Sequence, residues 1–146
     1  MRTLDLPAHD LQSAQDLMDA GALLAVQLRA GDVLALCGDL GAGKTTLVRG
    51  LCAALGVDPA EVASPTFALV HQYQGREHTV VHADLYRLES RQEAEAAGLG
   101  ELLDDPEVIC AVEWPECAPG LLPPHTLWLR VDVTPGGRRV TQQKAR

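Results

Sequence analysis

The chain has 146 residues, enough for one hydrophobic core and too few for two. Apolar residues make up 47% of it, yet no run approaches a membrane span, and the opening MRTLDLPAHD lacks the basic-then-apolar pattern of a secretion signal. Twelve Lys and Arg against twenty Asp and Glu give a formal charge of −8, with Lys44 and Lys144 the only lysines. That balance argues against tight, direct binding of DNA or RNA and suits docking on a basic protein.

In chain order, Asp10 is placed to cap a first helix. Small and apolar residues at Ala14, Leu17, Met18, Gly21, Leu24, Ala25 and Leu28 give it one apolar stripe, and Gly31 is expected to close it. VLALC (33–37) reads as a strand buried on both faces. A glycine loop comes next, then a helix from Lys44 to about Leu55 with Gly56 as its stop. TFALVHQY (66–73) and TVVHADLY (79–86) predict an antiparallel strand pair turning at 74–77.

SRQE (90–93) has capping-box spacing and predicts a third helix running to about Asp104 and Asp105. VICAV (108–112) predicts another buried strand. TLWLRVDV (126–133) and RRVTQ (138–142) predict a closing hairpin around Pro135, Gly136 and Gly137, with residues from about 142 to 146 expected to fray. Strands alternating with helices imply a three-layer α/β sandwich: one domain over 1–146, with a mixed, mainly parallel sheet and antiparallel hairpins. Cys37, Cys52, Cys110 and Cys117 have no C-x-x-C spacing, and three lie in apolar stretches. They read as free thiols of a cytoplasmic protein.

The chemistry concentrates at GDLGAGKTT (38–46). Gly38, Gly43, Lys44 and Thr45 match the phosphate-loop pattern G-x-x-x-x-G-K-[ST], and the match follows a buried strand and opens a helix. Glycines let backbone N–H groups turn inward to phosphate oxygens, and the helix N-terminus adds its dipole. Lys44 then reaches the β- and γ-phosphates, and the Thr45 hydroxyl suits Mg²⁺. Asp39 is out of place beside a triphosphate and must point away or serve another contact.

Such a loop needs an acid at the end of a neighbouring strand to hold the metal. Glu113 follows VICAV and Asp84 follows TVVHA, so both qualify. Thr66 in SPTF (64–67) reads equally as strand entry or as part of a γ-phosphate-sensing switch. Trp114 reads equally as core, and His82 beside Asp84 as a structural neighbour. The chain contains no asparagine, so the guanine-reading N-K-x-D box is absent and adenine is favoured by elimination.

GDLGAGKTT, SPTF, HADLYRL (82–88) and VEWPE (112–116), in this order and spacing, resemble the TsaE (once YjeE) family of small bacterial ATPases of the threonylcarbamoyladenosine tRNA-modification system. The resemblance covers nearly the whole chain. It implies a P-loop ATPase fold, ATP and Mg²⁺ as ligands, and association with TsaB and TsaD, which install threonylcarbamoyl on adenosine 37 of tRNAs reading codons that begin with A. Carried over by position, Gly41, Ala42, Gly43, Lys44, Thr45 and Thr46 wrap the phosphates. Thr45 and Glu113 hold the metal, Asp84 is the second functional carboxylate, and Lys44 serves catalysis as well as binding. Thr66 belongs to a switch, Trp114 lies beside the site, and Arg138 lies near the base. The polar position common in the family's first helix is Leu17 here, so no adenine contact carries over from that helix. The competing expectations are a small-molecule kinase on a similar fold and a nucleotide-gated switch without turnover.

Overall fold

The computed structural model describes residues 2–62 and 69–144. Among them the elements are α1 (Ala14–Ala25), β1 (Val33–Cys37), α2 (Lys44–Ala54), β2 (Val70–Gln74) and β3 (Thr79–Asp84). Next come α3 (Arg91–Ala96), α4 (Leu99–Leu103), β4 (Ile109–Glu113), β5 (Leu127–Thr134) and β6 (Gly137–Gln143). The six strands form one sheet in the order β2-β3-β4-β1-β5-β6. Its four central strands run parallel, and β2 and β6 close the edges antiparallel. This is the mixed α/β sandwich that the alternation of strands and helices implies.

The two faces follow from strand alternation. Leu34 and Leu36 of β1, Ala111 of β4 and Leu129 and Val131 of β5 meet Leu17 and Leu24 of α1 and Leu47, Val48 and Leu51 of α2. The opposite face buries Val33, Val81, Ala83, Cys110 and Val112 against Ala94, Leu99 and Leu103 of α3 and α4. β1 and β4 are buried at every position, as their unbroken apolar runs require. Cys37, Cys52 and Cys110 are buried free thiols, and Cys117 is an exposed one.

Several boundaries differ from the sequence reading. Ser13, not Asp10, caps α1: its hydroxyl accepts from Asp16 N, while Asp10 pairs with Arg139 on β6. The helix stops at Ala25, where the amides of Gln27 and Leu28 turn to carbonyls three residues back. Gly31 instead makes the left-handed turn into β1. Ser90 does cap the third helix, accepting from Glu93 N, but Gly98 at φ +76 breaks it into α3 and α4. The segment expected to fray from about 142 remains a strand through Gln143. The Gln142 side chain holds it, accepting from Leu4 N at 2.8 Å and donating to Arg2 O at 2.7 Å.

The position of α2, which carries the glycine loop's lysine and threonines, is set by backbone contact with α1. A Cβ on Gly50 would lie 2.0 Å from Met18 O, and one on Gly21 would lie 2.2 Å from Leu47 O. No side chain fits between the two helices at either point. Gly50→Ala should therefore destabilise the fold by about 1–3 kcal/mol despite alanine's better helix propensity. Urea unfolding of the variant checks this, and an unchanged midpoint would mean that the helices can separate freely.

Candidate functional site

β1 delivers the chain to the loop at residue 38, and three glycines shape the path from there into α2. Gly38 has φ +146, and a Cβ there would lie 2.4 Å from Val131 O of β5. Gly43 caps α2 at φ +110, where a Cβ would meet Leu17 Cδ1 at 2.6 Å. Gly41, at φ +80, has nothing within 4 Å of such a Cβ, so the space beside it is open. The first turn of α2 carries no acidic residue, and Gly43 supplies no side-chain cap. That helix end therefore presents backbone N–H groups and the positive end of its dipole, a setting for an anion such as a phosphate. Thr46 belongs to the same first turn. Ala42 is buried and donates its N–H to Asp39 O at 3.0 Å, tightening the loop.

Asp39 is exposed and close enough to influence Arg130 on β5. The hydrogen bond to Asp132 is the main effect raising the Arg130 pKa, and the charge of Asp39 adds to it.

Lys44 is 4% exposed. Its Nζ donates to Gly38 O and lies 3.4 Å from the centroid of the Trp114 ring. Burial pushes the lysine's pKa down, and Glu113, Glu116 and Asp84 work against that shift. Trp114 directly follows β4 with φ 57 and ψ 49, a left-handed backbone rare for a bulky residue and costing on the order of 1–3 kcal/mol. Its N–H donates to Leu36 O at 3.3 Å, and Tyr86 packs against its ring at 4.9 Å between centroids. That backbone turn brings the indole over the lysine.

Glu113 ends β4 and is 2% exposed. The Thr45 hydroxyl donates to its carboxylate, 3.0 Å from Oε1 and 3.1 Å from Oε2, and His82 Nε2 lies 2.5 Å from Oε2. Asp84 ends β3 directly beside Glu113 in the parallel register. Its Oδ1 accepts from Tyr86 N at 3.0 Å. Burial raises the Asp84 pKa, and the neighbouring Glu113 charge pushes in the same direction. A hydroxyl and a carboxylate side by side at the head of α2 are hard oxygen donors, a set that could hold Mg²⁺.

The loop from Gly41 to Thr46, Lys44, Asp84, Glu113 and Trp114 therefore come together at one end of the sheet. Arg138 reaches the same place, with Nη2 donating to Gly41 O at 3.4 Å from the β5–β6 hairpin. Thr66 lies outside the described residues. The contact of His82 with Glu113 is the part that the sequence reading misses. His82 stands two residues before Asp84 in a strand, hence on the same sheet face, and that period-two spacing is its only signal.

A family model described as "Threonylcarbamoyl adenosine biosynthesis protein TsaE" matches residues 11–141. A Treponema pallidum protein named tRNA threonylcarbamoyladenosine biosynthesis protein TsaE is 38% identical over 88% of this chain and 93% of its own length. The protein of the same name from Borreliella burgdorferi is 32% identical over 91% and 96%. The crystal structure of Bacillus subtilis YdiB superposes with a TM-score of 0.71 at 28% identity, covering 92% of this chain and 82% of that one. Matched along nearly its whole length, with the glycine loop, HADLYRL and VEWPE segments meeting at one end of a mixed sheet, the chain belongs to the TsaE family.

Proposed function

We propose that this chain binds ATP with Mg²⁺ and hydrolyses it slowly, serving TsaB and TsaD as they install threonylcarbamoyl on adenosine 37 of tRNA. The observation that carries the reading is the Thr45–Glu113 pair at the head of α2, beside a loop that Gly41 leaves open. The tRNA-modification role rests on family membership and on the names its relatives carry.

Each side chain has a distinct part. The loop amides and the α2 N-terminus take the phosphates, and Lys44 supplies a positive charge against the β- and γ-oxygens. Thr45 and Glu113 would hold Mg²⁺, which when bound neutralises charge developing on those oxygens. Asp84 orients the attacking water and takes up its proton, a role that suits a carboxylate with a raised pKa. Arg138 steadies the rim of the loop through Gly41 O.

Arginine fingers in such enzymes are worth roughly 10³–10⁵ in rate. Among the described residues the Arg138 side chain donates to the carbonyls of Gly137 and Gly41, and Arg87 is exposed. Unassisted turnover on the order of 10⁻⁴ to 10⁻² per second is then expected, with the partner pair raising it by completing or ordering the site. The net charge of −8 suits a basic docking surface that tRNA also uses, so hydrolysis would reset the modifying complex between rounds in the cytoplasm. None of the described helices is long and apolar enough to cross a membrane.

Lys44→Ala should lower turnover by about 10²-fold or more with the fold intact. Incubation with labelled ATP, with and without TsaB–TsaD, reads it out. A phosphorylated metabolite in place of free phosphate would make the chain a kinase, and a parental rate in the variant would remove the phosphate loop from the chemistry.

Glu113→Gln should raise the Mg²⁺ requirement by at least about tenfold, because loss of even an outer partner of a metal ligand costs ~10–100-fold. Asp84→Asn should keep nucleotide binding and lose turnover. Metal titrations of both variants separate the roles, and reversed behaviour would exchange them.

The fluorescence of Trp114, whose ring covers Lys44, should change when ATP·Mg binds, while Trp128 on β5 should respond less. Titrating Trp114→Phe and Trp128→Phe variants tests this. An undiminished signal in Trp114→Phe would take the indole out of the site.

A further inference from the structure

His82 lies in β3, fully buried, on the sheet face that packs against α1 and α2. Its register partner in β4 is Ala111, also fully buried. A methyl group in that row leaves room for the imidazole to lean toward the next row, where Asp84 and Glu113 stand side by side. His82 Nε2 thereby reaches Glu113 Oε2 at 2.5 Å, while Thr45 Oγ1 approaches from the head of α2. The other ring nitrogen, Nδ1, is buried with no hydrogen-bond partner among the described residues. So is Nε2 of His71, the residue paired with His82 across the β2–β3 ladder.

The unpartnered Nδ1 fixes the tautomer. Were Nδ1 protonated, a donor N–H would be stranded in the core; unprotonated, only a lone pair goes unused, which buried structure tolerates better. The proton therefore sits on Nε2 and is donated to Glu113. A carboxylate that accepts at Oε2 from a rigid ring cannot rotate about its terminal torsion, and Oε1 is held beside the Thr45 hydroxyl.

We propose that His82 is a positioning residue that acts through Glu113. By clamping Oε2, it presents Oε1 together with the Thr45 oxygen as a preformed pair of ligands for Mg²⁺. This rests on the metal reading of Thr45 and Glu113 under Proposed function. His82 acts on the orientation of a ligand and not on nucleotide or water, so its effect should fall on metal affinity before it falls on anything else.

The test compares two substitutions of similar size and polarity. His82→Gln places an amide N–H₂ where Nε2 stands, and His82→Asn places one where Nδ1 stands, out of reach of Glu113. Each protein is saturated with ATP and titrated with Mg²⁺ while its intrinsic fluorescence is followed, and ATP binding in EDTA is measured alongside. His82→Asn should raise the Mg²⁺ midpoint about tenfold or more, His82→Gln should stay within about threefold of the parent, and binding in EDTA should be the same in all three. Equal midpoints for Asn and Gln, shifted or unshifted, would overturn the proposal while leaving the metal assignment standing. A parental protein with no Mg²⁺-dependent step would overturn that assignment and this proposal with it. A readout needing no variant is the ¹⁵N spectrum of the parental protein's imidazoles, where His82 should show a protonated Nε2 and a bare Nδ1. The opposite tautomer would overturn the proposal.

Discussion

A carboxylate as buried as that of Glu113 must be met by donors, and the arrangement of the site depends on how that need is answered. One donor comes from α2 and one from β3, so a single side chain ties the helix that follows the glycine loop to two neighbouring strands. The bond to Thr45 links the head of α2 to the end of β4. The contact with His82 sets the rotation of the carboxylate. Thr45 can serve only because Gly43 starts the helix immediately before Lys44, in a backbone conformation that a side chain would strain. The sequence G-K-T-T is thus read here as a distance as well as a motif.

The lysine's surroundings obey a different logic. Glu113 is satisfied within the protein, whereas Lys44 is held by the Gly38 carbonyl and the face of Trp114. Both are interactions that an anion can displace. The left-handed turn at Trp114 costs on the order of 1–3 kcal/mol, and what it positions is an aromatic ring over a buried ammonium. A desolvated cation–π contact is worth about 2 kcal/mol, so the two effects are of similar size. Packing on Tyr86 and the hydrogen bond to Leu36 O then hold the ring in place.

Much of the fold was legible in the residues because the relevant signals are local. VLALC and VICAV read as strands buried on both faces because their apolar runs are unbroken, and Gly56 marked the end of α2. Lys44, Thr45, Glu113 and Asp84 could be nominated because a loop pattern and strand ends are both short-range features. What escaped the sequence depends on partners distant in the chain. Asp10 looked like a cap but is taken by Arg139, 129 positions away, which left the cap to Ser13. Gln142 looked like a frayed tail but is fixed by Arg2 and Leu4. His82 could be put on the face of Asp84 by period two, yet only the register against Ala111 shows that its ring has room to reach Glu113. The break at Gly98 lies between these cases: the glycine was visible, but a glycine inside a helical pattern is often tolerated.

The manner in which the sheet is completed bears on how the protein is born. The loop's first glycine packs against the backbone of Val131, and β5, which carries Val131, lies between β1 and the edge strand β6. β6 in turn is fastened to residues 2, 4 and 11 by hydrogen bonds that span up to 140 positions of chain. On a translating ribosome, residues 38–46 emerge while their supporting wall is still unmade, and they wait for about a hundred further residues. The nascent chain has the letters of the glycine loop long before it has the loop's shape. The shape of the glycine loop is therefore completed late, when the last strand docks against the first residues synthesised.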